Sequence, residues 1–193
     1  MISRSTGPGI TAEEFADMPE SEHAELVRGH IVEEPANNGL HAEVVVHVAM
    51  ILRWFVMKHH LGKVYAGDPG MILEPDPDTT RGPDIAFVDK SRVDQVPQRG
   101  FSGVIADMVV EVVSPSERAA RVEAKIEEFL QAGVRLAWLL DPGPETLVEF
   151  HGQSRRELRG DDRVSGHDVL PGFDLAVRQL FELDRLPDFM TTA

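Results

Sequence analysis

Asp107-Met108-Val109-Val110-Glu111-Val112-Val113 carries apolar residues on both faces of the strand it predicts, so Glu111 is expected inside the protein. A lone carboxylate in a low-dielectric interior takes up a proton or finds a cation or metal, because losing its water is otherwise too costly. The following segment reads as a helix from about Glu117 to Ala132. At about 100 degrees per residue, Lys125 falls between Val122, Ile126 and Phe129 on its apolar face. Glu123, Glu127 and Glu128 lie away from that stripe, as a solvent face requires. Beside Glu111, Lys125 would orient a water or stabilise a developing oxyanion. The alternatives are a plain ion pair with Glu111, or a packed aliphatic stem with its ammonium in solvent.

Asp84 adds a second carboxylate. It follows Pro83 at the start of the apolar strand Asp84-Ile85-Ala86-Phe87-Val88, a strand end from which it could reach a ligand without deep burial. Two carboxylates on neighbouring strands and one lysine meet the needs of phosphodiester hydrolysis. The carboxylates hold a hard divalent cation, the cation lowers the pKa of a bound water, and the lysine positions or stabilises charge at the phosphate.

The elements that must position these groups follow from patterning. Thr11-Ala12-Glu13-Glu14 opens a short helix as a capping box, closed by Pro19. Leu26-Val27 and Ile31-Val32 flank Arg28-Gly29-His30 as a hairpin. Val44, Val45, Val48, Leu52, Phe55 and Val56 recur at helical spacing, predicting a long amphipathic helix from about His41 to His60 that ends at Gly62. Residues 63–66 and 70–73 read as short strands joined at Asp68-Pro69, and 89–106 as a polar connection long enough for a flap or a partner contact. The Glu111 strand leads through Ser114-Pro115-Ser116, with Ser116 as cap, into the Lys125 helix. Gly133 and the strand Val134 to Leu140 follow, a unit that predicts a right-handed crossover with its helix on the sheet. Thr146 to Phe150 and segments up to Phe173 read as short strands, and Leu175 to Leu183 as a terminal helix.

The 193 residues fit one domain, 1–193, of α/β (α+β) class, with 42% hydrophobic and 27% charged residues. Without cysteine there is no thiol nucleophile or disulfide framework, which fits a cytoplasmic protein. No run of apolar residues approaches the roughly 18 of a membrane helix, and the polar N-terminus lacks the core of a secretory signal. The formal net charge of −14 opposes nucleic-acid binding through a general basic surface. DNA contact would need a metal or a local patch, the candidates being Arg53, Lys58, His59, His60 and Lys63, or Arg155, Arg156 and Arg159. The histidines show no metalloprotease spacing, and neither a phosphate-binding glycine loop nor a nucleophile elbow is present.

Pro83-Asp84-Ile85-Ala86-Phe87-Val88, the block from Asp107 to Ser116, Lys125, Ala132-Gly133-Val134 and Trp138-Leu139-Leu140-Asp141-Pro142 together resemble the Uma-two family of proposed restriction endonucleases. These are bacterial proteins of the PD-(D/E)XK nuclease superfamily. The resemblance runs from about Glu25 to Phe150 and implies a restriction-endonuclease-like core, a central mixed β-sheet flanked by helices, with a site for magnesium or manganese. Asp84 matches the family's metal-binding aspartate and Glu111 the acid of its second motif. Val113 stands where a lysine usually follows that acid, and Lys125 matches the family's relocated lysine. Glu25 matches a further glutamate near the metal, its other reading being a surface residue beside the hairpin. His41 matches a histidine at the start of the long helix, as a contact to substrate or to a side chain that holds it, against a cap or packing role. Ala24 and Phe129 replace aromatic residues that often carry a hydroxyl in relatives.

The expected activity is metal-dependent DNA endonuclease cleavage by Asp84, Glu111, Lys125 and Glu25. A nuclease-like binding or regulatory module without turnover is the alternative, favoured by the net acidity. Nucleases of this class often work as homodimers, and Leu180, Phe181, Leu183, Leu186 and Phe189 either contribute an interface or pack on their own domain.

Overall fold

The computed structural model describes residues 9–34, 38–114 and 119–191. In chain order its elements are α1 (Ala12–Ala16), β1 (Ala24–Val27), β2 (His30–Glu33), α2 (Gly39–Lys58), β3 (Gly62–Ala66), β4 (Met71–Glu74), β5 (Thr79–Arg81) and β6 (Ile85–Asp89). There follow β7 (Met108–Val112), α3 (Ala119–Ala132), β8 (Leu136–Asp141), β9 (Thr146–His151), β10 (Ser154–Arg159), β11 (Arg163–Ser165), β12 (Asp174–Ala176) and α4 (Asp188–Thr191). Thr11 caps α1 in the capping box its sequence predicts, and β1 and β2 form the expected hairpin.

The central sheet has the order β10-β9-β8-β7-β6-β3. β7 and β8 run parallel across the α3 crossover, and the other neighbours are antiparallel, so the sheet is mixed. Alternation along β7 divides its side chains between two cores. Met108, Val110 and Val112 join Val44, Val48, Ile51, Leu52, Phe55 and Val56 of α2, whereas Val109 and Val113 join Val122, Ile126 and Phe129 of α3. Glu111 has the parity of the second set and therefore points into the α3 layer. A smaller sheet, β2-β1-β5-β4, and the pair β11-β12 complete the architecture.

The two short strands joined at Asp68-Pro69 form as β3 and β4, in different sheets: the turn through Asp68 carries the chain from the central sheet into the small one. Periodicity identifies strands but not their neighbours. Other expectations change. β5 was hidden because Thr79-Thr80-Arg81 is short and polar, although both threonines are buried. Leu175 to Leu183 is not a helix, since Asp174–Ala176 pairs with β11 and only a 3-10 turn, Val177–Leu180, follows. Strand pairing there outweighs the helical spacing of the leucines. Gly62 begins β3 rather than ending α2. A Cβ at Gly62 would lie 2.1 Å from the Val88 carbonyl oxygen, so glycine is needed for close strand approach.

Leu180, Phe181, Leu183 and Phe189 pack against their own core, while Leu186 is exposed. The expected cap Ser116 lies outside the described residues. Among the described residues α2 is the one helix long and apolar enough to cross a membrane, but its inner face is built into the core. Its apolar residues are interrupted by polar ones, so counting unbroken runs missed it.

Candidate active site

Glu111 enters the site from the third-from-last position of the Asp107–Val113 run, on the side of β7 covered by α3. It is 5% exposed, and its Oε1 lies 3.0 Å from Lys125 Nζ. That approach is an ion contact without the alignment of a hydrogen bond, which leaves the oxygen among the buried polar atoms lacking a directed partner. Burial, and secondarily the charge of Asp84, pushes the Glu111 carboxyl well above its usual range, while Lys125 opposes the shift. Glu111 is therefore poised between holding a proton and accepting a further cation.

Lys125 comes from the apolar stripe of α3, as its spacing predicts. Its Nζ also lies 2.9 Å from Glu25 Oε1 and donates to the Gly82 carbonyl at 2.8 Å. Burial would favour the neutral amine, but Glu111 and Glu25 hold its pKa well above the ordinary value. The snorkelling alternative is thereby excluded, because the ammonium is directed inward.

Glu25 is not a surface residue. It is buried on β1, where Oε1 accepts from the Gly82 N–H at 3.0 Å and Oε2 from Arg81 Nη1 at 2.5 Å. Burial raises its pKa, yet the charges of Lys125 and Arg81 together outweigh burial and leave it below the usual range.

Asp84 is 7% exposed, more deeply buried than its position at a strand end predicts. The reason is local: the N-terminal turn of α2 and the edge of β7 close over it. Its Oδ2 accepts from the Val112 N–H at 2.7 Å and lies 3.2 Å from His41 Nε2. His41 thus orients the aspartate from α2, and it is Asn38 that caps the helix by accepting from the His41 N–H.

These five residues open on a cavity of about 600 Å³ that also includes Glu34 and Asp68. Glu34 is pushed up to about 7 by partial burial and then by Glu25, to which it is hydrogen-bonded. Asp68, at the rim, is raised by loss of solvent and by the Asp84 charge. Sequence reasoning missed these two, together with Arg81 and Glu128. Arg81 clamps Glu128 with Nε at 2.7 Å and Nη2 at 2.9 Å, so Glu128 joins this network from the solvent face assigned to it. Two signals were present: Arg81 stands three residues before Asp84, and Glu128 stands three after Lys125, on the adjoining strip of the helix.

The proposed basic patches do not adjoin this cavity as clusters. Lys63 pairs with Val88 near the end of β6 remote from Asp84, about 13 Å away at strand rise. Arg155 and Arg156 point to opposite faces of β10 and pair with Glu123 and Glu149. The donor set would suit a hard divalent cation held by Asp84 and Glu111, the observation in its favour being a buried Glu111 oxygen that has the Lys125 ion contact but no directed hydrogen bond. Among the described residues no group of three or more histidine and acidic side chains is arranged as a closed metal cage. Two such carboxylate donors would suit a hard ion of the magnesium type, whose charge would offset that of the acids.

A family model, Uma2, described as "Putative restriction endonuclease", matches residues 12–178. Among solved structures, the chain is similar to one from Anabaena variabilis ATCC 29413 described as "a putative nuclease belonging to DUF820". Their TM-score is 0.77 at 22% identity, over 90% of this chain and 98% of that one, a likeness of fold. No curated protein matches.

Proposed function

As the chain belongs to the Uma2 family, we propose that it is a metal-dependent DNA endonuclease that hydrolyses phosphodiester bonds at the Asp84, Glu111, Lys125 and Glu25 cavity. The observation that carries this reading is Glu111, buried beside Lys125 and Asp84 with an oxygen that lacks a directed hydrogen bond. Magnesium or manganese held by Asp84 and Glu111 would acidify a bound water and offset phosphate charge. The acidic cavity makes such neutralisation necessary, because an unneutralised phosphodiester would be repelled.

The chain's own groups divide the remaining work. The Val112 N–H and His41 hold the Asp84 carboxylate in one orientation. Lys125 keeps a proton and places positive charge where the pentavalent phosphate gathers negative charge. Glu25, fixed by Arg81 and the Gly82 N–H, aims that ammonium. Water oxygen bonds to phosphorus as the ester oxygen leaves, and solvent or the leaving oxygen takes the released proton.

A second reading has its own observation. Lys125 already has Glu25, Glu111 and the Gly82 carbonyl as partners, a network that could hold the fold without turnover. Supercoiled plasmid and single-stranded DNA incubated with the protein in magnesium, manganese or chelator separate the two. Cleavage that requires metal and disappears in Glu111→Gln supports the endonuclease. No cleavage by a folded protein that binds metal favours the non-cleaving module, and metal-independent cleavage would overturn the metal-dependent reading.

A further inference from the structure

The outer face of α2 is apolar where a monomer's surface helix is normally polar. Val46 is 68% exposed, Met57 59% and Met50 39%. At about 100 degrees per residue, Glu43, Val46, Met50, Arg53 and Met57 all lie within about 40 degrees of one line along the helix. Gly39 starts the same line, and a Cβ placed there would meet nothing within 4 Å. Glu43 and Arg53 are exposed, and neither forms an ion pair with a described residue.

We infer that this face binds a second copy of the chain, with the two α2 helices antiparallel about a two-fold axis level with Val48. The spacing is self-complementary about that position. Glu43 comes level with the partner copy's Arg53, Val46 with its Met50, and Gly39 with its Met57, so one register pairs opposite charges, apolar side chains, and a knob with a gap. At the 8–10 Å separation of packed helices, Glu43 and Arg53 are within reach of each other. Such a contact uses the same patch on both copies, as two-fold dimers require. A lipid surface is the competing occupant of an exposed apolar helix face. It would leave Glu43 and Arg53, on the two edges of the stripe, without opposite charges, whereas a second copy pairs both.

His41 lies seven residues from the axis, so the dimer sets the two cavities about 21 Å apart along the helix direction, at opposite ends of the pair. The inference does not depend on catalysis, and its test measures none.

The full chain is examined by sedimentation equilibrium across a concentration series. A reversible dimer is expected. Glu43→Arg or Arg53→Glu alone should weaken it by about tenfold or more by setting like charges level across the axis, and the double exchange Glu43→Arg with Arg53→Glu should restore it. Val46→Asp should give a monomer with an unchanged circular dichroism spectrum. A monomer at every concentration overturns the inference, as does a dimer insensitive to all four variants. Folded single variants that weaken the dimer without rescue in the double exchange overturn it too. Monomeric protein that sediments with phosphatidylcholine–phosphatidylglycerol vesicles would assign the face to lipid instead.

Discussion

Lys125 is enclosed by two carboxylates and a carbonyl, so removing it leaves more than an empty space. Lys125→Ala strands Glu25 and Glu111 in the interior, a loss expected to cost about 3–5 kcal/mol. Because Glu111 can take up a proton in compensation, the loss should be smaller at pH 5 than at pH 8. Denaturant unfolding at the two values checks this, and a pH-independent loss would show that Glu111 does not titrate in response. Lys125→Met keeps much of the stem and should fold better than the alanine variant while remaining inactive. At this scale the sequence was informative wherever burial could be inferred: Glu111 inside an apolar strand and Lys125 inside an apolar helix stripe. It was silent on Glu34 and offered for Arg81 only its nearness to Asp84, because both roles arise from contacts between distant segments. Glu25 and His41 came from family resemblance rather than from pattern.

At the scale of elements, the β7-α3-β8 unit brings Glu111 and Lys125 together, and Phe129 fixes the face that α3 presents. Phe129 is fully buried one turn beyond Lys125, with the ammonium 5.8 Å from its ring centroid. Phe129→Ala should cost about 3–5 kcal/mol by opening a cavity, and activity should fall further than the folded fraction explains, because Lys125 loses its support. Melting curves and assays normalised to folded protein test this together. At the far edge of the sheet, Gly62→Ala should destabilise by about 1–3 kcal/mol, since the new Cβ would run into the Val88 carbonyl. The strong apolar runs β6, β7 and β8 and the helices α2 and α3 were legible in advance. β5 and β12 were not, because three-residue strands carry too few side chains to establish a period, and partner choice is decided by tertiary pairing.

Across the whole molecule, acidic groups facing one cavity link stability to protons and metal. Glu34 has a folded pKa of about 7 against an ordinary 4.5, so between these values the folded chain holds a proton that the unfolded chain has released. Stability should therefore rise as pH falls from 8 through 7 toward 4.5, with Glu111 acting in the same sense. Below that window Glu25, whose folded pKa is depressed, takes stability away again. The net charge of −14 produces a general trend in the same direction above pH 4.5, so the diagnostic comparison is with Glu34→Gln, which should flatten the rise. Magnesium or manganese at 100 times its dissociation constant should add about 2.7 kcal/mol, and Glu111→Gln should remove most of that gain. Calorimetry of both proteins with metal and with chelator reads this directly.

Glu25 and Lys125 touch although one hundred residues separate them in the chain, and the lysine's helix is held on the sheet by β8, which follows it. During synthesis, a polypeptide emerging from the ribosome carries Glu25, His41 and Asp84 long before it carries the groups that complete their cluster. On the proposed function, cutting would therefore wait until α3 and β8 have been made, a delay that would spare a cell from nuclease fragments released by interrupted translation.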